Sequence, residues 1–102
     1  MIRKWLVLVL LLALAPAADS YAAEPAYAKW GRMAMAEAQK CYAGELIDYR
    51  HLGAEQVSAT DTQESFRFWM RQGGKEFGVT VSIRFETASE RVDSVVCRRT
   101  GP

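Results

Sequence analysis

The stretch FRFWMRQGGKEFGVTVSIRF, from Phe66 to Phe85, constrains the fold more than any other part of the chain. On both sides of Gly73-Gly74, apolar and polar residues alternate with a period of two, which is typical of strands that bury one face. A Gly-Gly pair between two such runs favours a tight hairpin turn, because the central turn residues need positive φ. The stretch therefore predicts an antiparallel β-hairpin.

The two faces of this hairpin differ in chemistry. The predicted core face carries Phe66, Phe68, Met70, Val79, Val81, Ile83 and Phe85. In the predicted register, Phe68 pairs with Val81 and Met70 pairs with Val79. The other face carries the candidate binding residues Arg67, Trp69, Arg71 and Arg84. Trp and Arg are enriched at binding hot spots, whereas a half-solvated antiparallel sheet shows the same alternation without any binding function, so both interpretations stay open.

The segment before the hairpin predicts one helix from Ala23 to Gly44, with Pro25 in its first turn and Gly44 beyond its end. At the helical period, one stripe of small and aromatic residues contains Tyr27, Trp30, Gly31, Ala34, Ala38 and Cys41. Further strands are predicted over 46–52 and 92–99, with a polar loop over 53–62 and a turn over 87–91.

These elements predict an α+β fold, with one N-terminal helix packed on a four-stranded antiparallel meander. The helix must cover one face of the sheet, because no other element is available to cover it. The same α-β-β-β-β arrangement occurs in cystatin-like and PepSY-like domains, which is an analogy of fold alone.

The first 22 residues predict a secretory signal peptide. Arg3 and Lys4 precede an apolar run, and Ser20-Tyr21-Ala22 offers the small-x-small pattern at a cleavage site. The apolar run is short of the about 20 residues that a transmembrane helix needs, although an uncleaved anchor is the alternative. Cleavage after Ala22 would leave 23–102 as a single secreted domain, localised outside the cell.

The charge of this predicted mature domain is balanced. Removal of the first 22 residues takes away two of the 13 basic and one of the 12 acidic residues, leaving 11 of each. The net charge therefore indicates neither a nucleic acid nor an anionic membrane as partner.

Cys41 and Cys97 are the two cysteines of the chain. In an exported protein two cysteines favour a disulfide, with free buried thiols and a metal site as the alternatives. A metal site would need more ligands, and His51 is the single histidine, so no metal is predicted. A disulfide requires that Cys97 face the helix, which a four-residue turn over 87–90 prevents and a bulge or another turn length allows.

Sequence motifs for catalysis are absent. The chain contains no glycine-rich phosphate loop, no Gly-x-Ser-x-Gly and no His-Glu-x-x-His. His51 is the one candidate base, and its spacing selects no serine as a nucleophile, so a half-buried packing role is favoured. The sequence thus predicts no enzyme and no cofactor.

The chain resembles the YqzG/YhdC-like family of small exported proteins from Bacillus and its relatives. The resemblance is carried by YAKWGRMAMAEAQKCY, LIDYRHLG and above all FRFWMRQGGKEFGVTVSIRFE, and it covers residues 26 to 99. That family has no established activity, so the resemblance implies no catalytic or binding residue. The cysteine pair is not a general feature of the family. The resemblance therefore implies that a disulfide here would be an additional stabilising cross-link and not part of a shared functional site.

Two functions from different classes follow. The first is a secreted, non-enzymatic module that binds an unknown protein or cell-envelope partner through Arg67, Trp69, Arg71 and Arg84, as a monomer or weak dimer. The alternative is a protease inhibitor or propeptide-like module. The sequence contains no cystatin-type Gln-x-Val-x-Gly loop, which disfavours a cystatin-like inhibitor.

Overall fold

A computed structural model describes residues 24–101, so the predicted signal peptide and its cleavage site lie outside the described residues. One helix, α1 (Ala28–Cys41), is followed by four strands: β1 (Glu45–Gln56), β2 (Asp61–Gln72), β3 (Lys75–Glu86) and β4 (Val92–Thr100). The strands form one antiparallel sheet in the order β1-β2-β3-β4. The predicted α+β meander is confirmed. None of the helices found within 24–101 has the length and apolarity to cross a membrane.

Helix α1 is shorter than the predicted 23–44. Its sequence is rich in Ala, Met, Lys and Gln, which are strong helix formers. It is preceded by a turn in which the Ala28 N–H donates to the Pro25 carbonyl at 2.9 Å, so Pro25 lies before the helix and not in its first turn. At the other end Tyr42 is already extended. Gly44 is therefore not a helix cap, because the chain is by then entering β1.

The predicted hairpin is confirmed, but its predicted register is wrong by two residues. Phe68 pairs with Val79 and Met70 pairs with Phe77. The reason is the turn, in which Gly73 and Gly74 have φ values of 57° and 78° and connect the strands as a two-residue loop. A shift of two residues leaves every side chain on the same face, so the predicted faces survive.

The core lies between α1 and one face of the sheet. All seven residues of the predicted core face are buried, together with Phe77. The helix contributes Trp30, Gly31, Ala34 and Ala38. The Trp30 ring stacks on the Phe85 ring at 4.0 Å between centroids. A Cβ on Gly31 would lie 3.3 Å from the Phe66 ring, so the small helix residues allow close approach to the sheet.

Strands β1 and β2 extend beyond their predicted ends. Of the segment predicted as a loop over 53–62, only 57–60 connects the two strands, because 53–56 and 61–62 are paired, with Ala54 opposite Glu64 and Gln56 opposite Thr62. Two bulges, between Leu46 and Asp48 and between His51 and Gly53, interrupt β1. The helix packs on β2, β3 and β4 and not on the C-terminal end of β1. The side chains over 54–56 are therefore exposed, and the sequence there shows no alternation of apolar and polar residues that would predict a strand.

A bulge settles the orientation of β4. Phe85 pairs with Val92, as a four-residue turn requires, but the register shifts at once, so that Ile83 pairs with Val95 and Val81 with Cys97. The extra residue turns Val95 and Cys97 toward the core, where both pack partly buried. Val96 is consequently exposed on the opposite face.

Candidate functional site

The sheet face opposite α1, here called the open face, carries the predicted pair Arg67 and Trp69. The Arg67 guanidinium carbon lies 5.2 Å from the centre of the Trp69 ring, within cation–π range. The indole Nε1 donates to Glu76 Oε1 at 2.7 Å. Trp69 is half-buried while Arg67 is exposed, so one stacked, oriented guanidinium faces solvent.

The other two predicted binding residues lie on the open face but are paired with carboxylates. Arg84 Nε donates to Asp61 Oδ2 at 2.9 Å, and this bond, more than any other cause, lowers the pKa of Asp61. Arg71 lies 3.9 Å from a carboxylate oxygen of Glu45 and 3.7 Å from one of Glu76. The charges of Arg71 and Arg84 are therefore compensated, whereas Arg67, the remaining arginine of the predicted set, forms no salt bridge with any residue in 24–101.

The strand order adds two arginines that the sequence interpretation missed. Arg50 of β1 pairs with Arg67 of β2, Arg67 pairs with Thr80 of β3, and Thr80 pairs with Arg98 of β4. We call Arg50, Arg67 and Arg98 the arginine row. Among the described residues, none of the three forms a salt bridge or a side-chain hydrogen bond.

Two shallow cavities flank the arginine row. One, of about 220 Å³, is lined by Asp48, Tyr49, Arg50, Arg67 and Trp69. The other, of about 240 Å³, is lined by Gln63, Thr80, Ser82, Val96 and Arg98. Asp48, the carboxylate of the first cavity, accepts a hydrogen bond from the Tyr49 backbone N–H at 2.8 Å. The open face thus offers shallow cavities beside guanidinium groups that form no salt bridge within the described residues.

Gly78 leaves room for the Arg67 guanidinium on the open face. A Cβ at this position would lie 2.9 Å from one terminal guanidinium nitrogen of Arg67 and 2.7 Å from the Thr100 carbonyl oxygen. A glycine inside a strand often marks such a close approach. The missing side chain leaves the space in which the Arg67 guanidinium lies beside Trp69.

Cys41 and Cys97 come together at the end of α1 and in β4. Both are free thiols in the structure, so the disulfide stays a prediction. Burial above all, together with the neighbouring Cys41 thiol, raises the pKa of Cys97 to about 12. Contrary to the predicted buried stripe, Cys41 is exposed, because it is the last helical residue and lies over the edge strand.

His51 lies at the edge of the core, where it contacts two aromatic rings and one carboxylate. Its ring stacks on Tyr27 at 4.0 Å and lies 4.9 Å from Phe66. Its Nε2 donates to Glu64 Oε1 at 2.6 Å, which satisfies a carboxylate that is buried on the core side. This is the half-buried packing role that the sequence favours. Within the described part of the chain, no group of three potential metal ligands is found.

The chain belongs to the family described as "Protein of unknown function (DUF3889)", which matches residues 6–99. It is 28% identical over 67 residues to "Uncharacterized protein YqzG" of Bacillus subtilis (strain 168). That alignment covers 66% of this chain and 62% of the relative, so the chain spans less than two thirds of the relative's length. No solved structure matches the chain. The resemblance to a YqzG-like family is confirmed, and the family description names no activity.

Proposed function

We propose that the protein is an exported, non-enzymatic binding module that acts at the cell envelope or outside the cell through its open face. The observation that carries the proposal is the Arg67–Trp69 pair, held beside a cavity of about 220 Å³. Arg50 on the neighbouring strand and Arg98 two strands away share its face, and neither forms a salt bridge within the described residues. Uncompensated arginines beside a large aromatic ring are typical of binding hot spots.

Export is supported by the order of basic residues, apolar run and small-x-small pattern in the first 22 residues. We expect the secreted protein to have the mass of residues 23–102, because a signal peptidase would cleave after Ala22. Intact mass spectrometry of the culture medium measures this. A membrane-bound product that retains Met1 would contradict it.

The binding role predicts a partner whose capture depends on Trp69. Immobilised protein should retain a partner from a cell-envelope extract, and Trp69→Ala should reduce that retention at least tenfold, since it removes the ring on which Arg67 stacks. The matched control is Met33→Ala, which removes another large exposed side chain, on the helix side of the protein. Equal retention by wild type and Trp69→Ala would contradict a binding role for the open face.

A non-enzymatic role is supported by the contacts of His51, whose ring is stacked and whose Nε2 is engaged by Glu64. The alternative is a protease inhibitor or propeptide-like module. Its only support is an analogy of fold, the packing of one helix on an antiparallel sheet. A panel of proteases separates the two. Inhibition that survives Trp69→Ala would favour the inhibitor, because it would not use the open face.

A further inference from the structure

We propose that the arginine row binds the phosphate groups of a linear, non-aromatic polyanion that lies across the strands. This inference rests on the proposed function, for which it names the ligand class and two further binding residues, Arg50 and Arg98. It starts from a local conflict in the sheet. Arg50 and Arg67 are directly opposite each other, and like charges in that position are destabilising unless something compensates them.

Among the residues that the structure describes, no carboxylate forms a salt bridge with Arg50 or Arg67. Glu76 accepts from Trp69, Asp61 accepts from Arg84, and Asp48 accepts from a backbone N–H. Asp48 keeps its charge and lines the same cavity as Arg50 and Arg67, but within the described residues it forms no salt bridge with either. An oxyanion bound between Arg50 and Arg67 would supply the missing compensation.

The geometry of the row favours phosphate groups over carboxylates. A carboxylate presents two coplanar oxygens, which one guanidinium fork can satisfy. The non-bridging oxygens of a phosphate diverge, so they can face guanidinium groups on two neighbouring strands. The backbones of Arg50 and Arg67 lie one strand spacing apart, about 5 Å. The Arg67 guanidinium lies over Gly78 of β3, and both arginines line the first cavity, in which a phosphate could contact the two side chains. Arg67 stacks on Trp69 and fills the space above Gly78, so its guanidinium is already ordered for such a contact.

The length of the row favours a polymer. Arg98 is separated from Arg67 by β3, so the three arginines extend over three strand spacings, about 14 Å. A single phosphate can bridge Arg50 and Arg67, whereas a chain of phosphates can also reach Arg98 across the second cavity.

Nucleic acid is disfavoured by the same contacts. Proteins that bind single strands without sequence preference use aromatic side chains on which bases stack. Trp69 is the aromatic residue of the open face, and its ring already carries Arg67 while its N–H is bound to Glu76. Tyr49 also lines the first cavity and is 51% exposed, but its ring stacks on Phe68 at 6.2 Å. Both rings beside the row are thus engaged by other side chains, so we expect a polymer without aromatic groups.

The test is calorimetric titration of the full mature domain with long-chain linear polyphosphate at several NaCl concentrations. We expect log K to fall against log [NaCl] with a slope of about −2 to −3, as expected for three charge contacts. Arg50→Gln, Arg67→Gln and Arg98→Gln should each weaken binding about tenfold and reduce the slope by about one. Orthophosphate should bind much more weakly, because it cannot reach Arg98.

The matched control is the triple variant Arg32→Gln, Lys40→Gln, Arg91→Gln. It changes the net charge as much as a triple substitution of the arginine row, but its residues are exposed on α1 and in the β3–β4 turn. This control should bind polyphosphate like the wild type. An equal loss in the control would overturn the proposal, since binding would then follow net charge alone.

Comparison ligands complete the test. Polyglutamate and single-stranded DNA should both bind more weakly than polyphosphate. Equal or tighter binding of polyglutamate would overturn the choice of phosphate, and equal or tighter binding of DNA would overturn the non-aromatic ligand. Absence of polyphosphate binding would overturn the inference, while Trp69-dependent capture from an envelope extract would still support the proposed function.

Discussion

Phe68→Ala should lower the free energy of unfolding by about 3–5 kcal/mol, the range measured for large-to-small changes of buried aromatic residues. Phe68 is fully buried between Tyr49, whose ring lies 6.2 Å away, and Phe66, at 6.5 Å. Urea denaturation followed by circular dichroism measures the change, which is a large share of the stability of a small domain.

Trp69→Ala is the matched comparison, because Trp69 is the next residue along β2 and points to the open face. Its removal costs one hydrogen bond to Glu76 and one cation–π contact with Arg67, each worth about 1 kcal/mol. We expect a clearly smaller loss of stability than for Phe68→Ala. Equal losses would mean that the open face is covered, and the proposed binding role would lose its basis.

A Cys41–Cys97 disulfide should contribute about 4 kcal/mol to the free energy of unfolding in the chain-entropy model, because it closes a long loop. The bulge of β4 directs Cys97 toward the core, and the Cys41 thiol lies near enough to raise the pKa of Cys97. Export would place this pair in an oxidising compartment. Non-reducing peptide mapping of secreted protein should recover the two cysteines in one linked peptide pair.

The contribution of the disulfide to stability is measured by urea denaturation of the oxidised and the reduced protein. Reductant should lower the urea midpoint of the wild type and leave that of Cys41→Ser unchanged, since the variant has no bond to lose. Two freely alkylatable thiols in native secreted protein would refute the disulfide.

The sequence by itself determined which residues of the hairpin form the core. The period-two pattern on both sides of Gly73-Gly74 assigns each side chain to one face, and that assignment does not change when the register slips by two residues. For the same reason the pattern could not choose between Val81 and Val79 as the partner of Phe68. The two-residue loop at Gly73-Gly74, which the Gly-Gly pair itself favours, makes Val79 the partner of Phe68.

The ends of the strands could not be predicted from the pattern of apolar and polar residues. The residues over 53–56 are polar or small and lie beyond the reach of α1, so their pairing with β2 leaves no periodic signal. The bulge near Asp93 is likewise invisible in the sequence, although it decides whether Cys97 or Val96 faces the core.

The arginine row is a property of the tertiary structure alone. Arg67 and Trp69 are close in the chain, so the sequence alone identified them as candidates. Arg50 and Arg98 lie 17 and 31 positions from Arg67, and they align with it through the strand order and two bulge-shifted registers. Charge compensation of Arg71 and Arg84 was equally hidden, because each partner carboxylate comes from another strand. Side-chain alternation is a local property that a sequence carries, whereas cross-strand neighbours depend on registers, which turns, bulges and packing decide together.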